Sequence, residues 1–294
     1  MKLSVPNSIY LNNLENVLYS PYNTESGTVR PHYKSDGAPA HTKYITDVTD
    51  VYDISKGEFP LSTLRKINWK KAIGELLWMY KDETNDISVL EDKYGVKWWR
   101  DWDVGDGTIG HRYGYTIHKY NLYRNLIDGL KYDPFGRRHI IDLWQYEDFD
   151  ETPGLTPCVY KTIWSVRGKF LDVYVNQRSS DYIVSEGFDR LQYCALLLIV
   201  SRTVGLKPGK ITYHVNNLHI YDRHLSAALD IFARIKDGIK NKDPFTIDIL
   251  EEQPRLILDD NIHNIYECNM DSFKIENYHP NKTNYKFDIA IWVN

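Results

Sequence analysis

At 294 residues, 42% of them hydrophobic and 26% charged, the chain can bury one large core or two small ones. Its 36 Lys plus Arg against 40 Asp plus Glu leave a formal charge of −4, without the basic excess of a general nucleic-acid binder. Mean hydropathy is −0.50, and the longest purely apolar run, residues 194–200, falls far short of the roughly 20 residues a membrane span needs.

The N-terminus, MKLSVPNSIYLNNLENV, has no apolar stretch behind a charged start, so no signal peptide and a cytoplasmic location are expected. Residues 8–19 suit a short helix. Residues 20–41, rich in Pro, Gly, Ser and Asn, read as a long loop of the kind that is usually functional or mobile. Thr42–Asp53 is dense in β-branched residues and Tyr and alternates as a strand. Trp69–Tyr80 has helical spacing, with Thr63 or Asn68 as its cap. A helix follows at 120–132, closed by Asp133-Pro134.

Residues 139–144, 159–166 and 169–177 read as strands, the last two joined by a turn at Arg167-Gly168. Residues 188–204 predict a buried helix capped by Gly205. A strand at 210–216 and a helix at 224–236 stopped by Gly238 complete the pattern. No repeat or linker divides the chain, and the order of elements is α+β within a single domain, residues 1–294.

Three widely spaced cysteines without a CxxC pair argue against a disulfide framework and against zinc, and no metal is expected. Cys194 opens an apolar run and reads as core, and Cys268 carries no functional signal. Cys158 differs, since it follows Pro157 between two strand-like segments, although a lone thiol there is more often structural than catalytic.

Five other groups carry possible chemistry, each with a bland alternative. Arg137-Arg138 is a solvated pair or a phosphate clamp, since guanidinium forks match phosphate oxygens. Gln177-Arg178-Ser179 is a strand end, or adds a third Arg and a hydroxyl to that clamp. His219 and Tyr221 share a strand face and hold a sugar hydroxyl or each other. Glu75, inside WKKAIGELLWMY, needs a partner or a raised pKa unless it faces solvent. Trp98, Trp99 and Trp102, with Tyr113 shortly after, are core or a stacking wall for a flat heterocycle.

Taken in order, these residues resemble the thymidylate synthase family from about Arg30 to the C-terminus. SDGAPAHT, FPLSTLRK, GELLW, DGTIGHRYG, RRHI, LTPC, QRSSD and LHIYDRH carry the likeness. So do the spacings: 20 positions from Cys158 to Arg178, 11 on to residue 189, and 30 more to His219. Val159 stands where the family usually has His after the cysteine.

The resemblance implies a fold in which a large mixed sheet forms the interface of a homodimer, with helices packed on its other face. It implies 5,10-methylenetetrahydrofolate as co-substrate and a pyrimidine nucleoside monophosphate as substrate, with neither nucleic acid nor membrane as partner. Cys158 would add to C6 of the base. Arg30, Arg137, Arg138, Arg178 and Ser179 would bind the 5′-phosphate, Arg137 and Arg138 reaching over from a second subunit, within a substrate pocket that also includes Gln177. His219 and Tyr221 would hold the 3′-hydroxyl. Glu75 would move protons through ordered water, and Tyr113 would help remove the C5 proton. The folate would lie against Trp99, Trp102, Leu155 and Phe188, with Asp181 on its pterin and Arg65 near its glutamate tail. Residues 20–41 would be a mobile phosphate-binding loop, and residues 280–294 a tail closing on the site.

One departure bears on the substrate. Where the family usually has Leu-Gly-x-Pro-Phe-Asn, this chain has Val184-Ser185-Glu186-Gly187-Phe188-Asp189. An Asn amide matches the N3–H and O4 of uracil. An ionised carboxylate would face O4 with a second acceptor, at a cost of roughly 1–3 kcal/mol. A protonated carboxyl can instead donate to N3 of cytosine and accept from its N4 amine.

Asp189 therefore favours a cytidylate, dCMP over CMP, as in the deoxycytidylate hydroxymethylase relatives of the family. The intact Cys158, Glu75, Tyr113 and arginines argue against an inactive copy. Hydroxymethylation and methylation differ in whether water or hydride ends the reaction. Trp99 and Leu155 lean towards methyl. Ser185, Glu186 and Gly187, with Ile163 for a common Gln and a longer, bulkier tail, lean towards hydroxymethyl. The expectation is a (d)CMP hydroxymethylase, of a bacterium or a virus-infected cell. The alternatives are methylation of dUMP or dCMP, and a nucleotide-binding homologue without turnover.

Overall fold

The computed structural model describes residues 3–185, 187–242, 253–281 and 285–292. Helix α1 (Val5–Leu18) starts three residues earlier than its apolar pattern suggests, because the Ser4 side chain accepts from the Asn7 N–H and caps it. Strand β1 (Pro31–Tyr33) lies within the long loop, and β2 (Thr42–Asp53) has the bounds expected of it. Helices α2 (Trp69–Tyr80), α3 (Ile87–Tyr94), α4 (Gly114–Lys119) and α5 (Leu122–Tyr132) follow; α5 is the helix expected at 120–132, and α3 and α4 were not expected. Then come β3 (Ile140–Asp142), α6 (Tyr146–Glu151), β4 (Val159–Arg167), β5 (Phe170–Asp181) and α7 (Phe188–Thr203). Strand β6 (Lys207–Tyr221), α8 (Leu225–Lys240), β7 (Arg255–Leu258), β8 (Phe273–Glu276) and β9 (Ala290–Trp292) complete the described chain.

A five-stranded mixed sheet has the order β2-β6-β5-β4-β3, in which only the β5–β6 pair is parallel. That pair is joined through α7, as a parallel connection requires. One face of the sheet is apolar. Leu171, Val173 and Val175 of β5 and Ile211, Tyr213 and Val215 of β6 are buried on it. Against it pack α7 and, beyond, α2, both buried over almost their whole length. The other face carries Tyr174, Asn176, Thr212 and His214, all only partly buried.

Two expectations change. The strand expected at 210–216 runs on to Tyr221, because β2 and β5 extend the ladder past Asn216-Asn217. Gly238 does not stop α8, which continues to Lys240 with Gly238 buried inside it. Gly205, at φ +74, does end α7, and Gly168, at φ +63, makes the β4–β5 turn.

Candidate active site

Cys158 precedes β4 at the point where that strand meets β5. Val159 pairs with Gln177, and the Arg178 N–H donates to the Cys158 carbonyl at 2.8 Å. The Arg178 guanidinium folds back over the same loop. Its Nε donates to Pro157 O (3.1 Å) and its Nη2 to Thr156 O (2.8 Å), which leaves Nη2 3.8 Å from the Cys158 sulfur. On the other side, the Tyr113 hydroxyl accepts the Cys158 N–H at 3.0 Å. Tyr113 has φ 47° and ψ −105°, a conformation costing of order 1–3 kcal/mol for a residue with a side chain. The following Gly114 is forced, since a Cβ there would lie 2.2 Å from Thr84 O.

Electrostatics keep this corner protonated at rest. Burial pushes the Cys158 thiol up, with Asp189 and Glu75 adding to it, while Arg178 pulls the other way. Burial likewise holds the Tyr113 phenol well above its usual value. Forming a thiolate therefore depends on Arg178 and on where nearby protons can go.

Glu75, on α2, is buried rather than solvent-facing. It accepts from Trp98 Nε1 (3.4 Å), from Trp99 Nε1 and from Gln192 Nε2 (3.1 Å). Burial, with a contribution from Asp189, pushes its pKa up to about 7, near the range in which a carboxyl can give and take a proton at neutral pH. Trp99 packs edge-on against Trp102 and Tyr113, and Trp98 packs edge-on against Phe188 at 5.1 Å. Leu155 is half-buried in the loop before Cys158.

Asp189 sits in the first turn of α7, whose start is set by Gly187 at φ +74. Gln177 Nε2 donates to Asp189 Oδ2 at 2.7 Å and to Ser179 O at 3.0 Å. The Tyr213 hydroxyl donates to Gln177 Oε1 at 2.8 Å, which fixes the amide's orientation. Burial raises the Asp189 carboxyl, with Gln177 and Arg190 opposing. Arg190 is itself locked, its Nε and Nη2 donating to Asp50 Oδ2 at 2.9 and 2.6 Å, so the turn carrying Asp189 is tied to β2.

The remaining expected residues lie around this cluster or away from it. His219 pairs across the ladder with Asp181, burial keeps it neutral, and its ring meets Tyr221 at 5.1 Å. Ser179 pairs with Asn217 two positions earlier on each strand. Asp181 is used by its own turn, accepting from the N–H groups of Ile183 and Val184. Arg65 donates to Ile183 O and lies 5.5 Å from the Phe287 ring. Ile163 is half-buried mid-strand, opposite Tyr174. Arg30, Arg137 and Arg138 are exposed, so the structure does not bring the arginine pair into the cluster around Cys158 within this one chain. Glu186 lies outside the described residues.

The tail meets the long loop. β9 pairs antiparallel with β1, and Asp288 accepts from Ser35 Oγ and Arg223 Nη1, both at 2.6 Å. Residues 282–284, 293 and 294 of the expected tail lie outside the described residues.

Sequence reasoning missed Gln192 and Tyr213. Gln192 had a signal, since it falls three residues after Asp189 on the same face of α7. Tyr213 acts across a strand contact that no local pattern reveals.

With that geometry in place, the likeness to known proteins is specific. The family model described as "Thymidylate synthase" matches residues 8–291. The chain belongs to the thymidylate synthase family. It is 41% identical over 295 residues to thymidylate synthase of Lactococcus lactis subsp. cremoris (strain SK11), covering 98% of this chain and 100% of the relative. With thymidylate synthase of Streptococcus suis (strain 05ZYH33) identity is 42% over 272 residues, covering 90% and 92%. The solved structure of thermostable thymidylate synthase A from Bacillus subtilis superposes with a TM-score of 0.84 at 30% identity, over 97% of this chain and 99% of that one. Family and α+β fold thus agree with the resemblance. The Lactococcus, Streptococcus and Bacillus proteins are all named for thymidylate synthesis, and none of the three for hydroxymethylation.

Proposed function

We propose that this chain transfers a one-carbon unit to C5 of a pyrimidine nucleoside monophosphate, with 5,10-methylenetetrahydrofolate as co-substrate and Cys158 as the nucleophile. The folate would supply the one-carbon unit, and the indole wall of Trp98, Trp99 and Trp102 beside Phe188 suits its flat ring. Cys158 would bond to C6 of the base, which places negative charge at C5. Arg178, already 3.8 Å from the sulfur, favours the thiolate as this bond forms. Glu75 has the proton affinity to exchange protons at the base, and Tyr113 holds the loop that aims the thiol. Neutral His219 and Tyr221 would hold the sugar hydroxyl. Arg178, Ser179, Arg30 and a partner subunit's arginine pair would hold the phosphate. The half-buried polar face of the sheet supports such a homodimer.

For the base, we propose cytosine, and Asp189 carries that reading. Gln177 donates to Oδ2, which makes that oxygen an acceptor, and burial raises the carboxyl's proton affinity, so a proton shared with the base would sit on Oδ1. A donor beside an acceptor complements N3 and the N4 amine of cytosine, and the basic N3 can share that proton as the N3–H of uracil cannot. The hydroxymethyl product is favoured by the polar Ser185 and by Gly187 beside this turn. A second reading, methylation of dUMP, is favoured by the names of the relatives at 41% identity.

The deciding experiment is C5 tritium release from dCMP, CMP and dUMP with methylenetetrahydrofolate, followed by product mass. Gain of CH2O on a cytidylate supports the first reading, and gain of CH2 on dUMP supports the second. No release from any of the three would mean a binding protein without turnover.

A further inference from the structure

One buried guanidinium stitches the turn that presents Tyr113 to the loop that presents Cys158. Arg112 is 2% exposed. Its Nη1 donates to His111 O (3.0 Å) and Asp148 O (2.8 Å), and its Nη2 donates to Thr152 O (3.0 Å). The group lies 4.6 Å from the Phe149 ring centroid. Among the described residues no ion pair joins it to a carboxylate. The Asp148 carboxylate is engaged instead by Lys119 (2.8 Å) and Thr116 (2.6 Å). A buried charge held only by carbonyls is a costly way to fill space, so its hydrogen-bonding geometry is what distinguishes it from an apolar side chain.

The two segments it joins are in backbone contact nearby. The His111 N–H donates to Thr152 Oγ1 at 2.7 Å. A Cβ at Gly110 would lie 2.2 Å from Pro153 O, and one at Gly154 would lie 2.6 Å from Ile109 O. Residues 109–113 and 152–158 therefore run against each other and meet again where Tyr113 Oη accepts the Cys158 N–H. Arg178 grips the far end of the same loop through Thr156 O and Pro157 O. The loop before the nucleophile is held between two arginines, and only Arg178 touches the sulfur.

We propose that Arg112 is a positioning residue. Its three carbonyl bonds fix the spacing between the Tyr113 turn and the Cys158 loop, and so aim the thiol at the base. The inference rests on the catalytic reading of Cys158, and its test is separable from that reading.

The test uses the full chain carrying Arg112→Met or Arg112→Lys, with Lys119→Met as the comparison. Lys119→Met loosens α6 through Asp148 and Glu151 without removing a bond to the loop carbonyls. Three quantities are read beside the melting temperature: amide hydrogen exchange in the peptide containing Cys158, alkylation of Cys158 by iodoacetamide, and C5 tritium release from dCMP and dUMP. Arg112→Met is expected to change exchange and alkylation by about tenfold or more, with Arg112→Lys intermediate and Lys119→Met within about twofold of wild type. The kcat for tritium release should fall by about 100-fold in Arg112→Met while KM moves little.

Arg112 variants that track Lys119→Met in exchange and alkylation would overturn the proposal, whatever their melting temperatures. If Arg112→Met does not fold, Arg112→Lys supplies the same comparison. If wild-type protein releases no tritium, the functional reading fails, and exchange and alkylation still decide the role of Arg112.

Discussion

The interior of the site and its rim are built on different terms. Around Cys158, the polar groups find their partners in this chain: Arg178 on Thr156 and Pro157, Tyr113 on the Cys158 amide, Gln177 on Asp189, and Gln192 and Trp99 on Glu75. At the rim, Arg137 and Arg138 stand exposed on the turn before β3, and the long loop and tail meet through surface ion pairs. The interior is preorganised, with these hydrogen bonds already made in a buried setting where each is worth more. The rim is open to whatever completes it, a phosphate, a second subunit or a closing tail. Interior substitutions should therefore damage chemistry, and rim substitutions should damage assembly and capture.

The largest expected effect is at the centre. Cys158→Ala should reduce C5 tritium release by about 10⁴-fold or more, since the covalent step would lose its nucleophile. Full release by this variant would mean that another residue attacks the base. At the rim, Arg137→Ala/Arg138→Ala should be nearly inactive alone, yet mixing and refolding it with Cys158→Ala should restore about a quarter of wild-type activity. Half of the dimers formed are then mixed, and each carries one complete site if the arginines act across the interface. No restoration, or a monomer by light scattering, would show that the arginines serve their own subunit or none.

Asp189→Asn tests whether the interior also reads the base. It should shift the ratio of kcat/KM for cytidylate over uridylate by roughly 100-fold or more towards uridylate, because a carboxamide donates where O4 accepts. An unchanged ratio would leave base choice to other residues. Tyr213→Phe frees the Gln177 amide to rotate, so it should weaken this discrimination without abolishing turnover.

Much of the interior is readable in the sequence because it is local. GELLW places a carboxylate in an apolar helix, and LTPC places a thiol at a strand start. QRSSD runs along one strand, and an Asp189 opening an apolar helix is visible at once. The rest depends on contacts between distant segments. The HIY strand is continuous with residues 210–216 only because β2 and β5 flank it, which hides it behind the polar Asn216-Asn217. Arg190 reads as an intrusion in an apolar helix until Asp50 of β2 is placed beside it. Arg112 reads as surface charge, since its partners are carbonyls that leave no side-chain pattern. The β1–β9 pairing joins segments some 260 residues apart and has no local signature.

Glu75 measures how strained the interior is. Its folded pKa of about 7 lies above the ordinary 4.5, so the folded state holds the proton more tightly than the unfolded chain. That stabilisation is complete below pH 4.5, declines as pH rises towards 7 and is gone above it, a change of about 3 kcal/mol. Glu75→Gln, which cannot ionise, should therefore flatten this part of the stability profile and be the more stable protein at pH 8, while losing turnover. Urea midpoints at pH 5 and pH 8 check it, and equal slopes in both proteins would mean that Glu75 ionises normally.

The smallest effect belongs to the rim. Arg223 joins the loop to the tail, donating to Asp36 at 2.7 Å and to Asp288 at 2.6 Å while lying 3.9 Å from the Tyr33 ring centroid. Its partners are reached by solvent, so each pair contributes little, and less at high salt. Arg223→Met should leave the melting temperature almost unchanged, yet make the tail more open to carboxypeptidase and raise the folate KM by about threefold, as expected where weak contacts hold a closing segment. If the tail is cut no faster, the β1–β9 hydrogen bonds alone hold it, and the ion pairs are decoration on a strand pairing that does not need them.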